Sequence, residues 1–264
     1  MIISLAGKTA LVTGSTAGIG FSIAAGLAEA GAHVILNGRS PDRTEQAAQR
    51  LRQRFPGAEI GAVAADAAGA EGCARLAEAC PEVDILVNNM GIFEPKGFFD
   101  IPDQDWFHLF EANVMSGVRL SRRLMPGMLA RDWGRVVFIS SESALQIPPE
   151  MIHYGFSKTA QLAVSRGLAE LTAGTGVTVN AVLPGPTRSD GVETFLQEMA
   201  AQQGGSADDM ARDFVRQHRP SSLLQRFARP EEVANMVVYV CSPQASATNG
   251  AALRVDGGVV RSIA

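Results

Sequence analysis

Short apolar runs rich in β-branched residues alternate along the chain with longer stretches whose apolar positions recur every three or four residues. The short runs at 9–13, 32–37, 59–64, 83–88, 135–140, 177–182 and 251–255 read as strands. The longer stretches at 19–30, 41–55, 70–80, 103–131, 151–173 and 230–241 read as helices. Pro41 near the start of the second helix suits a first helical turn. Pro126, deep inside 103–131, predicts a kink or a break. The strands are apolar at successive positions, as in a parallel sheet buried on both faces. The alternation predicts an α/β fold, a doubly wound parallel sheet of about seven strands with helices on both faces. No linker, repeat or low-complexity stretch interrupts it, so residues 1–264 are expected to form a single domain.

One region departs from this rhythm. Residues 187–229 contain no strand pattern. Val192, Phe195, Leu196 and Met199 share one helical face, Met210 and Phe214 form a second apolar pair, and Gly204-Gly205-Ser206 separates the two. A connection this long inside a compact domain is usually functional, and a helical lid over a substrate pocket is the expectation.

Composition mainly excludes. The formal net charge is −4 and no basic cluster is present, which argues against a nucleic-acid partner. No apolar run reaches the roughly 18 residues of a membrane helix, and the first residues lack a signal-peptide pattern, so no membrane partner and a cytoplasmic location are expected. Cys73, Cys80 and Cys241 share no metal-ligand spacing and read as reduced thiols. The four histidines form no i, i+4 pair, so no metal site is expected.

The first strand runs into Thr13-Gly14-Ser15-Thr16-Ala17-Gly18-Ile19-Gly20 and then a helix. Glycines allow close approach of backbone to a ligand, and a helix N-terminus offers free N–H groups to a pyrophosphate. At the first βα turn of a doubly wound sheet this spacing marks a dinucleotide site. The second strand ends in Asn37-Gly38-Arg39-Ser40, where a carboxylate would favour NAD and an arginine suits the 2′-phosphate of NADP. Arg39, helped by Ser15, Thr16 or Ser40, therefore favours NADP(H) over NAD(H).

Tyrosine and lysine are scarce: Tyr154 and Tyr239, and Lys8, Lys96 and Lys158 among 23 basic residues. Yet Tyr154 and Lys158 stand four apart, on one face of a helix that follows the strand ending in Ser140-Ser141. A phenol is a poor acid at neutral pH, and a neighbouring ammonium favours its ionised form. A serine hydroxyl close by can hold a substrate oxygen, and the cofactor carries the harder chemistry.

Taken together, these residues resemble the short-chain dehydrogenase/reductase family in its compact Rossmann-type form. The ordered matches are Thr13-Gly14-x-x-x-Gly18-Ile19-Gly20, Asp66, Asn88-Asn89-x-Gly91, Asn113, Ser141, Tyr154-x-x-x-Lys158 and Pro184-Gly185 with Thr187. The resemblance implies an NAD(P)-dependent oxidoreductase that moves a hydride between nicotinamide and a carbonyl or secondary alcohol. It implies Tyr154 as general acid or base, Lys158 on the nicotinamide ribose, and Ser141 on the substrate oxygen. Asn113 would hold a proton-relaying water. Asp66 would meet the adenine, Asn89 the adenosine ribose region, Gly91, Pro184 and Gly185 the cofactor cleft, and Thr187 the nicotinamide carboxamide. Met90 departs from the family's usual alanine.

The expected substrate pocket includes Ile92, Phe93, Ser143, Ile147, Met151, His153, Pro186, Val192 and Phe195, most of them apolar, so a mainly apolar small molecule is the expected substrate. Glu142 is expected to point to solvent. A 3-oxoacyl-(acyl-carrier-protein) reductase is the main alternative; the long 187–229 segment and the absence of a basic residue in Ala173-Gly174-Thr175-Gly176 weigh against it. A non-catalytic dinucleotide-binding regulator is the alternative of another class, and it predicts loss of Tyr154 or Lys158, both of which are present. The resemblance also implies a homotetramer or homodimer, which sedimentation velocity distinguishes from a monomer.

Overall fold

The computed structural model describes residues 2–263, apart from the side chains of Phe195 and Gln203. Its strands are β1 (Thr9–Val12), β2 (His33–Gly38), β3 (Ile60–Ala64), β4 (Ile85–Asn88), β5 (Gly134–Ile139), β6 (Val177–Pro184) and β7 (Ala252–Val255). They form one parallel sheet in the order β3-β2-β1-β4-β5-β6-β7. The helices are α1 (Gly18–Glu29), α2 (Pro41–Arg54), α3 (Ala70–Ala79), α4 (Asp103–Phe110), α5 (Ser116–Ala130), α6 (Ile152–Glu170), α7 (Asp190–Gln203), α8 (Ala207–His218) and α9 (Pro230–Cys241). This is a Rossmann-type α/β sheet.

The continuous apolar strands divide their side chains between two cores. Ala10, Val12, Ile85, Val87, Val137 and Ile139 face a cluster that includes Ile23, Leu27, Leu51, Val233 and Val237 of α1, α2 and α9. Their neighbours Leu11, Leu86, Val136 and Phe138 face the opposite cluster, with Leu76, Leu120, Leu124 and Met128 of α3 and α5. Successive residues of a strand point to opposite faces, so an unbroken apolar run is what burial on both sides requires.

The expected helix at 103–131 is one helical run with a change of winding. A π-helical turn, Glu111–Met115, joins α4 to α5. Pro126 lies inside α5 and does not end it. The helix survives the missing N–H because Leu120, Leu124, Met125 and Met128 pin that segment to the sheet. The departure from α geometry falls at Asn113 instead, and π-turns of this kind are frequent at functional sites.

Residues 187–229 form the two expected helices. Leu196, Met210, Ala211, Val215 and Phe227 make a third small core between them and the following loop. Gly204 ends α7 at φ 78°, and Ser206 caps α8 through a reciprocal pair of bonds with Asp209. Among the described residues no helix is long and apolar enough to cross a membrane.

Candidate functional site

The strand order reverses between β1 and β4, so their C-terminal ends open a crevice, the usual ligand position in such sheets. A cavity of about 380 Å³ lies there. One end is the turn after β1. Gly14 and Gly18 have φ of 58° and 56°, which an L side chain would resist. A Cβ on Gly20 would stand 2.5 Å from the Gly14 carbonyl oxygen, so that position admits only glycine without a shift. Ala17 begins α1 without a side-chain cap, leaving backbone donors of the first turn to other partners.

Asn89 braces this turn from β4: its Nδ2 donates to the carbonyls of Thr13 (2.9 Å) and Gly14 (3.0 Å). Thr13 Oγ1 accepts from the backbone N–H groups of Asn89 and Met90, each at 2.9 Å. Ser15 is buried, and its hydroxyl donates to Val12 O (2.7 Å) while accepting from Asn37 N (3.0 Å). It locks the turn to β2 and has no hydroxyl proton left for a phosphate. Thr16 packs its methyl against Gly38. Arg39 is exposed beyond it, Ser40 caps α2, and Asp66 is exposed with its carboxylate accepting from Ala68 N. None of these last four lines the cavity.

At the other end stand Ser141, Tyr154 and Lys158. Tyr154 and Lys158 sit one turn apart on α6, with Lys158 Nζ 5.6 Å from the phenol ring centroid. Lys158 Nζ donates to Ile139 O (3.0 Å) and Gln161 Oε1 (3.2 Å). Gln161 Nε2 donates in turn to the Asn113 backbone carbonyl at 2.6 Å, in the π-turn. The Asn113 side chain accepts from Ile92 N (2.7 Å) and donates to Ile92 O (3.0 Å) and Ser157 Oγ (2.9 Å). A chain of hydrogen bonds thus links Lys158 to the π-turn through Gln161. Gln161 lies at i+3 from Lys158, a spacing that would have revealed it in the sequence.

Burial pushes the Tyr154 phenol above its ordinary range, and the Glu142 charge adds to this; a hydrogen bond from Ser141 and the Arg219 charge oppose it. Burial pulls Lys158 down to about 7. Among the described residues no anion acts on the amine, so its positive charge is poorly supported.

The expected pocket residues divide. Ile92, Phe93 and Val192 line the cavity, as does Met90. Ser143, Ile147, His153 and Pro186 do not. His153 precedes Tyr154 and so points about 100° away around the helix. It is buried against the edge of Trp106 (5.9 Å), neither ring nitrogen has a hydrogen-bond partner, and burial lowers its pKa. Ile147 packs over Gly155 and borders a separate groove beside His218. Pro186 offers its carbonyl to Ala228 N. The Phe195 side chain lies outside the described residues.

The structure adds residues that the sequence did not single out. Ser189 lines the cavity, and Asp190 Oδ2 accepts from Gly18 N at 3.3 Å, so the start of α7 rests on the glycine turn. Arg188 ties α7 to α8 through Glu193 and Asp208, both at 2.6 Å. Glu142 is a correction: it is buried and paired to Arg219 at 2.8 Å, because an arginine at the end of α8 reaches back to it. Among the described residues no group of three or more His, Cys, Asp or Glu is placed to hold a metal.

A family model described as enoyl-(acyl carrier protein) reductase matches residues 14–260. The chain belongs to the short-chain dehydrogenase/reductase family. It is therefore an oxidoreductase acting on alcohol or carbonyl groups. This short-chain dehydrogenase/reductase is 51% identical to the uncharacterized oxidoreductase YvaG of Bacillus subtilis over the full length of both chains. It is 32% identical to 3-oxoacyl-(acyl-carrier-protein) reductase of Aquifex aeolicus, over 98% of this chain and 100% of that one. It superposes on the crystal structure of L-sorbose reductase from Gluconobacter frateurii, complexed with NADPH and L-sorbose, with a TM-score of 0.94 and 34% identity, covering 100% of both chains. A short-chain dehydrogenase/reductase fold binds a nicotinamide dinucleotide, and the residues here fit one. The turn has room for backbone approach only because Gly14, Gly18 and Gly20 carry no Cβ, and a buried amine faces the far end of the same cavity.

Proposed function

We propose that the protein is an NADP(H)-preferring oxidoreductase that interconverts a carbonyl and a secondary alcohol on a mainly apolar small molecule. The observation that carries this is the convergence of Ser141, Tyr154 and Lys158 on the cavity whose other end is the glycine turn. The cofactor, when bound, supplies or accepts the hydride. The chain's own residues position the reactants and move the proton. Tyr154 gives a proton to the substrate oxygen in reduction and takes it back in oxidation. Ser141 contacts the same oxygen. Lys158 would hold the ribose hydroxyls of the cofactor, whose acceptors would favour its charged form, and that charge favours ionisation of the phenol whose ring centroid lies 5.6 Å from Nζ. Asn113 keeps the π-turn and the Ile92 loop in place, where it would hold a water that relays protons from Lys158 to solvent.

Ile92, Phe93 and Val192 support an apolar substrate. The relative that reduces 3-oxoacyl chains keeps an acyl thioester among the substrates to be tried.

Arg39 supports the preference for NADP(H): it is exposed at the end of β2, where no carboxylate stands. Arg39→Ala should lower the ratio of kcat/KM for NADPH over NADH by about 10- to 100-fold, the value of a charge-assisted bond of about 1.5–3 kcal/mol. An unchanged ratio would mean that the 2′-phosphate is held elsewhere or not at all.

Residues 187–229 act as the substrate lid in this reading. Their small separate core makes them one unit, and their contacts at Gly18 and Glu142 seat that unit on the body beside the cavity. Deleting residues 204–207 should raise KM for the carbonyl substrate more than KM for NADPH. The reverse order would remove the lid from the account.

A further inference from the structure

The loop between β5 and α6 carries a buried carboxylate that the proton transfer above does not use. Glu142 Oε2 accepts from Ser141 Oγ at 2.5 Å, Ser143 N at 2.9 Å and Ser143 Oγ at 3.2 Å. Its Oε1 accepts from Arg219 Nε at 2.8 Å. Arg219 closes the C-terminal end of α8 and is itself buried; its Nη1 donates to Glu150 Oε1 (3.2 Å) and to the His218 carbonyl (2.7 Å). Three segments meet here: the loop bearing Ser141, the turn at 149–151, and the end of the second lid helix.

Two charges withdrawn from water persist only when they are paired and hydrogen-bonded. That requirement explains why Arg219 and Glu142 are together. It does not explain why the pair stands against Ser141. A serine hydroxyl has one proton, and an ionised carboxylate can only accept. In this structure the Ser141 proton is given to Glu142 while its oxygen accepts from Ser143 N at 3.1 Å, and the hydroxyl would turn from Glu142 to donate to a substrate oxygen. Tyr154 lines the same cavity as this serine.

We propose that Glu142 and Arg219 are positioning residues for the proton transfer: Glu142 sets the resting direction of the Ser141 hydroxyl, and Arg219, delivered by α8, neutralises the carboxylate beside Tyr154. Seating of α8 then sets the proton affinity of the phenol. This rests on the reading of Tyr154 as the proton donor and acceptor. The charged groups that act on the phenol are Glu142 from the loop after β5, Arg219 from the end of α8 and Lys158 from its own helix; Glu150 shares Arg219. Lys96, Asp105 and Glu94 form a separate cluster on the side of His153.

The signs follow from charge. The Glu142 carboxylate disfavours a phenolate and the Arg219 guanidinium favours it. Glu142→Gln removes the negative charge and should let Tyr154 ionise at lower pH. Arg219→Gln leaves the carboxylate unneutralised and should move the ionisation to higher pH. The double variant should return toward the parent, and Arg219→Lys should restore most of the parent behaviour.

The protein has only two tyrosines, so in a Tyr239→Phe background the phenol of Tyr154 is the only one to titrate. Phenolate absorbance against pH, with and without saturating NADP⁺, follows it without any substrate. We expect opposite shifts of roughly one pH unit for the two single variants. Shifts in the same direction, or none, would overturn the proposal, because a merely structural pair would lower stability without moving this ionisation. If Arg219→Gln does not fold, an unmoved Glu142→Gln suffices to overturn it. Opposite shifts in a protein that turns over no carbonyl would uphold this pair and sink the functional reading instead. Turnover that depends on Tyr154 without opposite shifts would do the converse.

Discussion

Replacing Tyr154 by Phe should leave NADPH binding within a few-fold of the parent and reduce turnover by about 10²–10⁴-fold, a loss of about 3–5 kcal/mol of transition-state stabilisation. The change removes one hydroxyl and little packing. The ring keeps its edge contact with Phe93 at 6.2 Å, and Ser141 keeps its bonds to Glu142 and to Ser143 N. Cofactor affinity, measured by fluorescence of bound NADPH, and kcat should therefore separate. Residual activity above about one per cent would show that another group moves the proton.

A second large effect is expected at Lys158. Its amine is buried and its folded-state pKa is pulled down to about 7, against about 10.4 for a free lysine. Between those values the unfolded chain binds a proton that the folded protein refuses. Stability therefore rises with pH through that window, by up to about 1.4 kcal/mol per pH unit. The penalty is complete below about pH 7 and gone above the unfolded value. Lys158→Met has no such group. In cofactor-free protein, the stability of the parent relative to Lys158→Met should climb steadily from about pH 7 to about pH 10, by several kcal/mol in all. Denaturant unfolding at a series of pH values measures it, and parallel curves would contradict the burial argument. The same variant removes the donor that reaches Ile139 O and Gln161, and turnover should fall at least about 100-fold with weaker NADPH binding.

The sequence showed the fold well because its signals are local. Each strand is a run of apolar residues, and each helix begins or ends near a proline, a glycine or a change of period. Tyr154 and Lys158 were legible from one helical spacing, and the turn at Gly14 from glycines placed between a strand and a helix. What stayed hidden depends on distant partners. Glu142 reads as a solvent-facing acid until Arg219, 77 positions away, is folded against it. The π-turn at Asn113 reflects a carbonyl taken up by Gln161 of another helix, 48 positions on, and no local pattern announces it. His153 looked like a pocket residue because it adjoins Tyr154, whereas helical rotation turns it into the aromatic contact with Trp106. Asp190 meets Gly18 across 172 positions, so the seating of the lid on the glycine turn was beyond reach.

The most direct test of the central claim follows the hydride itself. The protein is incubated with NADPH carrying deuterium at the transferred position and a panel of ketones, ketoses and 3-oxoacyl thioesters, and the products are read by mass. The account predicts that at least one carbonyl consumes NADPH one for one, gains deuterium at its new carbinol carbon, and does so in the parent but not in Tyr154→Phe. Tight NADPH binding with no transfer to any carbonyl, or transfer that survives loss of the Tyr154 hydroxyl, would contradict it.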